Sequence, residues 1–329
     1  MNIEVVLCYQ TSTMKTLITL LAILYSTISL ANPSKLSKSP FARVKDSTFT
    51  FTSSDGVKLH VRVAGQGTPC LFVHGGPGST SWYFEAMPSA KIIESKMQMV
   101  YLDQRGSGRS GSAANKDYSI QRMEKDMEEL REFLGYKNWA IMGHSFGGIL
   151  VTNYAYHFPK SISAMFLIHG TLDINYSINS HISFGLDELK IANREPYLDT
   201  TKPLLQRLSM VHDSLQKKGT WYKLMYRNAE EKKINDSVTN SAGNLNWEFA
   251  NQVWNLPEYF SDFSELTARI KCPVLVMTGR TDYAIGPDHY RSFKFPKREI
   301  VYYNGGHAPF QEEPQWFAEK IISFMGNFN

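Results

Sequence analysis

Gly143-His144-Ser145-Phe146-Gly147 places one hydroxyl among small residues, directly after the apolar run NWAIMG and before the helical pattern FGGILVTNYAYHF. A strand-to-helix turn that tight needs glycines where side chains would collide, and it carries its central residue into an exposed, strained conformation. Serine there becomes a nucleophile only if a base takes its proton and an acid orients the base. Two later loops offer these groups. Asp282 follows the apolar run CPVLVMTG, and His307 follows EIVYYN behind two glycines. Serine, aspartate and histidine, each after a different strand and in that chain order, form a constellation suited to acyl transfer. Asp173, after the preceding strand, is the fallback acid, whereas Asp262 and Asp288 read as helix-start residues.

An attack on a carbonyl also creates an oxyanion, which needs donors. The stretch FVHGGPGS follows the first core strand, and its glycines let backbone amides approach a substrate oxygen closely. The N–H groups of Gly76 and of Phe146, the residue after the serine, are the natural pair. As a phosphate loop the same stretch fails, because no Lys-Ser/Thr follows it. The glycine-rich DQRGSGRS lacks the spacing for dinucleotide binding, and Asp103 and Arg105 read as groups that fix their own loop. No cofactor and no metal ion is expected.

Elements of a regular kind must position these loops. TFTFTSSDGVKLHVRVAG alternates β-formers around Asp55-Gly56, which predicts an antiparallel hairpin. CLFVHG, MQMVYLD, NWAIMG, ISAMFLIHG, CPVLVMTG and EIVYYNG are short continuous apolar runs, as expected of strands covered on both faces. Helical patterns lie between them, so the fold class is α/β, a mainly parallel sheet with helices on both sides. From 173 to 257 no strand-like run appears. That polar, aromatic-rich interval predicts a helical cap inserted after the sixth strand, over the carboxyl ends where open α/β sheets place their sites. The core is then 47–172 together with 258–329.

The chain has 329 residues, 43% hydrophobic and 20% charged, with a net charge of +4. This is ordinary globular composition, and no block of like charge suggests nucleic acid as a partner. Residues 1–31 read as a leader. From Met14, Lys15 precedes an apolar run from Leu17 to Leu30, and Ser29-Leu30-Ala31 offers a cleavage site before Asn32, the pattern of a signal peptide. The run is shorter than a bilayer-spanning helix requires. The expectation is an exported chain, periplasmic or extracellular, with no stable membrane insertion after the signal is removed. Cys70 and Cys272 then remain, both at the beginning of strands and expected to be free thiols.

Taken together, these residues resemble the α/β-hydrolase superfamily over nearly all of Phe51 to Phe328. His-Gly-Gly-Pro-Gly at 74–78 with Asp-Gln-Arg-Gly-Ser-Gly-Arg-Ser at 103–110 more narrowly resembles the proline iminopeptidases, which are serine aminopeptidases. That resemblance implies Ser145 as nucleophile, Asp282 as acid, His307 as base, and Gly76 with Phe146 as oxyanion donors. It further implies a cap glutamate that holds the substrate ammonium, and Glu248 in NLNWEFANQVW matches that position. The implied activity is release of an N-terminal residue, proline by type, from small peptides. A secreted carboxylesterase or lactonase would use the same machinery on an ester, and a non-catalytic binding protein would share only the fold.

Overall fold

A computed structural model describes residues 46–327; residues 1–31, the expected leader, lie outside the described residues. Eight strands form one sheet in the order β1-β2-β4-β3-β5-β6-β7-β8. They are β1 (Ser47–Thr52), β2 (Lys58–Gly65), β3 (Thr68–Val73), β4 (Met97–Leu102), β5 (Trp139–His144), β6 (Ile162–Ile168), β7 (Val274–Gly279) and β8 (Arg298–Tyr303). The hairpin β1–β2 pairs antiparallel and joins β4 antiparallel, while every pairing from β4 through β8 is parallel. The turn that closes the hairpin uses Gly56 at φ +86°, which glycine adopts at little cost.

Helices α1 (Trp82–Glu85) and α2 (Pro88–Glu94) precede β4, α3 (Ile120–Phe133) precedes β5, and α4 (Gly147–His157) precedes β6. Between β6 and β7 come α5 (Ile174–Glu188), α6 (Glu195–Leu198), α7 (Leu204–Lys218), α8 (Ala229–Ser241) and α9 (Glu248–Gln252), and then 3-10 turns to Arg269. This helical excursion runs past the expected boundary at 257. Its last turn, Ser264–Arg269, buries Ser264 and Thr267 instead of resuming the sheet at once. Helices α10 (Pro309–Glu312) and α11 (Pro314–Gly326) follow β8.

Strands β3 to β7 bury both faces, whereas β8, at the edge of the sheet, exposes Arg298, Glu299 and Tyr302 and so departs from the expected cover on both faces. Leu71 and Val73 of β3 join one apolar layer with Ile141, Ile149 and Leu150, while Cys70 and Phe72 join the opposite layer with Met142, Phe317 and Ile321. Alternate residues of a strand point to opposite faces, so a strand sandwiched between two helical layers must be apolar at every position. Cys70 and Cys272 are both free. With β5 and β6 lying between β3 and β7, strand spacing alone holds the two thiols roughly 14 Å apart.

Caps set where helices begin. Ser119 accepts a hydrogen bond from the Arg122 amide to start α3, and Asp173 accepts one from the Tyr176 amide to start α5. Asp173, the fallback acid, is therefore a helix cap. Asp262 likewise accepts from the Ser264 amide.

The loop after β4 is held by buried charge. Arg105 is fully buried and binds Asp126 through two hydrogen bonds of 2.6 and 2.7 Å, and Asp55 through two of 2.8 and 3.0 Å. Asp103, also fully buried, accepts from the Ser81 amide at 2.6 Å and from the Arg109 side chain at 2.8 Å. Removing one partner of such a set strands the other charge in a dry interior. Arg105→Ala is expected to lower unfolding stability by about 3–5 kcal/mol in a urea titration. A loss below about 1 kcal/mol would show that the cluster contributes little to holding the loop.

Candidate active site

Ser145 sits between the last residue of β5 and the first of α4, with φ +57°. That left-handed conformation costs an L-residue about 1–2 kcal/mol, so the surroundings must impose it. They do so with three hydrogen bonds. The Ser145 amide donates to the Ile168 carbonyl at 3.2 Å, and its carbonyl accepts from the amides of Gly148 at 2.9 Å and Thr171 at 3.0 Å. The neighbouring glycines answer to space. A Cβ on Gly147 would lie 2.3 Å from the Val73 carbonyl oxygen, and one on Gly143 would lie 2.5 Å from the Val151 side chain. Helix α4 thus enters directly against β3 and β5, with the serine at its tip.

The loops after β7 and β8 converge on the same edge of the sheet. His307 Nδ1 donates to Asp282 Oδ2 at 2.9 Å, and both residues are buried. Asp282 Oδ1 accepts from the Ala284 amide at 3.1 Å, which fixes the carboxylate from its other side. Burial alone would raise the pKa of Asp282. Electrostatic attraction to His307 and the N–H groups of both His307 and His169 outweigh burial and hold the carboxyl well below the usual range. Ser145 and His307 line one cavity of about 110 Å³, together with Gly76, Met225, Tyr226 and Asn235.

The glycine loop after β3 completes this cavity. A Cβ on Gly75 would fall 2.6 Å from Ser145 Cβ and 3.2 Å from its Oγ, so the loop backbone lies against the serine itself. Among the described residues, neither the Gly76 amide nor the Phe146 amide donates to a backbone acceptor. Both are thereby available to an oxygen bound beside Ser145.

His144 ties the three loops together. Its Nδ1 accepts from the Tyr83 hydroxyl at 2.7 Å, which in turn accepts from the Gly75 amide at 2.8 Å. Its Nε2 donates to the His307 carbonyl at 3.0 Å. Burial lowers the His144 pKa well below the ordinary value, and a neutral ring is what this donor–acceptor pattern requires. Neither Tyr83 nor this role of His144 is visible in the motif. The same holds for His169, at the end of β6, whose Nδ1 donates to Asp282 Oδ2 at 2.8 Å. Its only signal in the sequence is a histidine closing the apolar run ISAMFLIHG, at the same strand end as the other site residues. His169, Asp282 and His307 offer ligand atoms within 4.8 Å of one another, the composition of a metal site. Both imidazoles already donate to the carboxylate, so a cation there would have to displace both protons.

Glu248 falls elsewhere. It opens α9 and its carboxylate pairs with Lys116. Ala250, two residues on, packs against Gly78 of the glycine loop. Two residues along a helix turn by roughly 200°, so Glu248 faces away from that loop. It does not line the Ser145 cavity, and among the described residues no other aspartate or glutamate does either. Its pKa is lowered by the hydrogen bond from Lys116, a partner that already neutralises the charge an ammonium would seek.

The tight seat of Gly75 generates a test. Gly75→Ala must push Ser145 or the loop aside by several tenths of an ångström or more. A misplacement approaching 1 Å at a reacting group costs about 100-fold in rate. Hydrolysis is expected to fall by that order, with thermal unfolding changed far less; wild-type rates in the variant would show that the loop yields freely.

Comparison with known proteins places the fold in a family. Proline iminopeptidase of Clostridioides difficile is 24% identical over 286 residues, 82% of this chain and 95% of that protein. An AB hydrolase superfamily protein of Bacillus subtilis is also 24% identical, over 283 residues, 83% of this chain and 96% of that protein. Among solved structures, a proline iminopeptidase-related protein of Thermus thermophilus superposes with a TM-score of 0.71 at 16% identity, covering 87% of this chain and 99% of that one. A family model described as the alpha/beta hydrolase fold matches residues 68–314. That match runs from the first residue of β3 to the first of α11, through every loop of the site, and the chain belongs to the α/β-hydrolase family.

Proposed function

We propose that this hydrolase works through Ser145, His307 and Asp282 by way of an acyl-enzyme. The reading is carried by Ser145, held at positive φ, opening into the same cavity as the base His307, which Asp282 backs. Ser145 Oγ attacks the acyl carbon while His307 Nε2 takes its proton; Asp282 remains ionised and steadies the imidazolium. The amides of Gly76 and Phe146 receive the oxyanion. Collapse of the tetrahedral intermediate expels the leaving group, which takes the proton from His307. Water then repeats the sequence on the acyl-serine, releasing the acid and restoring the serine.

The cavity narrows the substrate. An apolar cavity of about 150 Å³ holds a benzene molecule, so one of 110 Å³ accommodates an acyl group of about two to four carbons. Among the described residues its lining offers polar groups such as the Asn235 amide and no carboxylate to a substrate ammonium. This favours a short neutral acyl ester or amide. The aminopeptidase reading rests on the likeness to proline iminopeptidases, and in it Glu248 would have to exchange Lys116 for the substrate.

Two sets of measurements test these readings. Ser145→Ala is expected to leave only the roughly 10³- to 10⁴-fold acceleration over water that binding and oxyanion donors supply. Asp282→Asn should lose about 10⁴-fold, and Asp173→Asn little. A severe Asp173→Asn variant with an active Asp282→Asn would move the acid.

For the substrate, nitrophenyl esters should be cleaved best at two to four carbons. N-acetylating an aminoacyl substrate should not slow it, and Glu248→Gln should affect charged and neutral substrates alike. If instead Glu248 binds an ammonium, acetylation and Glu248→Gln would each cost one to two decades in kcat/KM on free-amine substrates only, the loss of one charge-assisted hydrogen bond.

A further inference from the structure

The carboxylate of Asp282 serves two imidazoles. His169 Nδ1 and His307 Nδ1 lie 2.8 and 2.9 Å from the same oxygen, Oδ2. An ionised carboxylate only accepts, so both rings must carry their proton on Nδ1. We propose that His169 is a positioning residue of this site, which acts through Asp282 to set the pH at which His307 can serve as base. The proposal rests on the triad assigned above.

Several features show that the ring is placed for this bond. His169 is fully buried and, among the described residues, its Nε2 has no hydrogen-bond partner, so its ring bonds only Asp282 there. A buried polar atom left without a partner is costly, and such a ring persists where its other bond is of use. The backbone accommodates it at φ +44°, in the left-handed region. Space is made by Gly279 at the end of β7, where a Cβ would stand 2.7 Å from His169 Cε1. The residue therefore occupies a strained position, in a slot kept open by a glycine, to donate one proton to the acid of the triad.

The sign of its effect follows from charge. A carboxylate that already accepts one N–H has less negative charge to offer an imidazolium on the same oxygen. His169 is kept neutral by burial, which lowers its pKa, so it donates without adding charge. Removing it should leave Asp282 a stronger partner for protonated His307, and the base would then hold its proton to higher pH. Other titratable groups also face this cluster: His144 from β5, His181 from α5, His289 before β8, and Glu312 and Tyr303 on the far side of His169. Burial lowers His181 and His289 to about 4 and His144 well below its usual value. None of these three rings changes charge across the neutral range where the acid limb of a histidine base falls.

The test is the pH profile of kcat/KM on a nitrophenyl ester for wild type, His169→Leu and His169→Asn. Asparagine tolerates positive φ and carries its amide N–H at the place of Nδ1. The acid limb should move up by about half to one pH unit in His169→Leu and return toward wild type in His169→Asn. Titration of Ser145 with a fluorophosphonate normalises rates to folded enzyme. Should His169→Leu fail to fold, the imidazole resonances of the wild-type protein still decide the proposal. Wild-type protein should also show two downfield imidazole N–H resonances that are both lost in Asp282→Asn. An unmoved acid limb in His169→Leu, or a single downfield resonance in wild type, would overturn the proposal. Full activity in Asp282→Asn would overturn the triad itself, so the two failures can be told apart.

Discussion

The left-handed backbone of Ser145 is the constraint on which the rest of the site depends. A serine at φ +57° exists only because the chain turns from β5 into α4 without a connecting loop. That turn demands near-contact of backbones. Gly147 meets the carbonyl of Val73, Gly143 meets Val151, and Gly75 meets Ser145 itself. The cost of the strained residue is offset by burial of α4, whose Ile149, Leu150 and Val151 are fully enclosed against the sheet. The reactive geometry is thus a consequence of how closely one helix packs.

A second layer of structure aligns groups that the turn alone cannot align. His144 is flanked by the Tyr83 hydroxyl and the His307 carbonyl, so the glycine loop, the serine turn and the His307 loop share one hydrogen-bonded chain. Because the ring is neutral and dry, its bonds are made without a compensating charge, and each group has a single arrangement that satisfies it. Such a network fixes the His307 loop without adding a charge to it.

The helical excursion contributes in the same way. The Leu224 carbonyl accepts from the Tyr283 amide, and the Met225 carbonyl accepts from the His307 amide. From α5, Ser180 donates to the Tyr283 carbonyl and His181 to that of Ala284. The segment that walls the cavity therefore also braces the loops carrying Asp282 and His307. A movement that widens the cavity would loosen the His307 loop.

Much of this was legible in the sequence. Apolar runs without alternation gave away the central strands β3 to β7, buried on both faces, though not the exposed edge strand β8, and the Asp55-Gly56 hairpin, the parallel order and the serine, aspartate and histidine loops follow from local pattern. Chain order and strand ends suffice for that, because the carboxyl edge of a parallel sheet gathers its loops wherever they lie in the chain. Glu248 marks where that reasoning stops. Its position matched a motif, but helix phase and the presence of Lys116 decided its direction, and both are set by how α9 packs on the glycine loop. His169 is the converse case, a histidine with no motif around it, brought to Asp282 because β6 and β7 are neighbours and Gly279 leaves it room. Sequence by itself determined which elements form and which loops meet, since backbone propensity and burial are read residue by residue. The partners of each charged side chain were decided only by tertiary structure, because a hydrogen bond depends on distances of a few ångströms between residues a hundred or more positions apart.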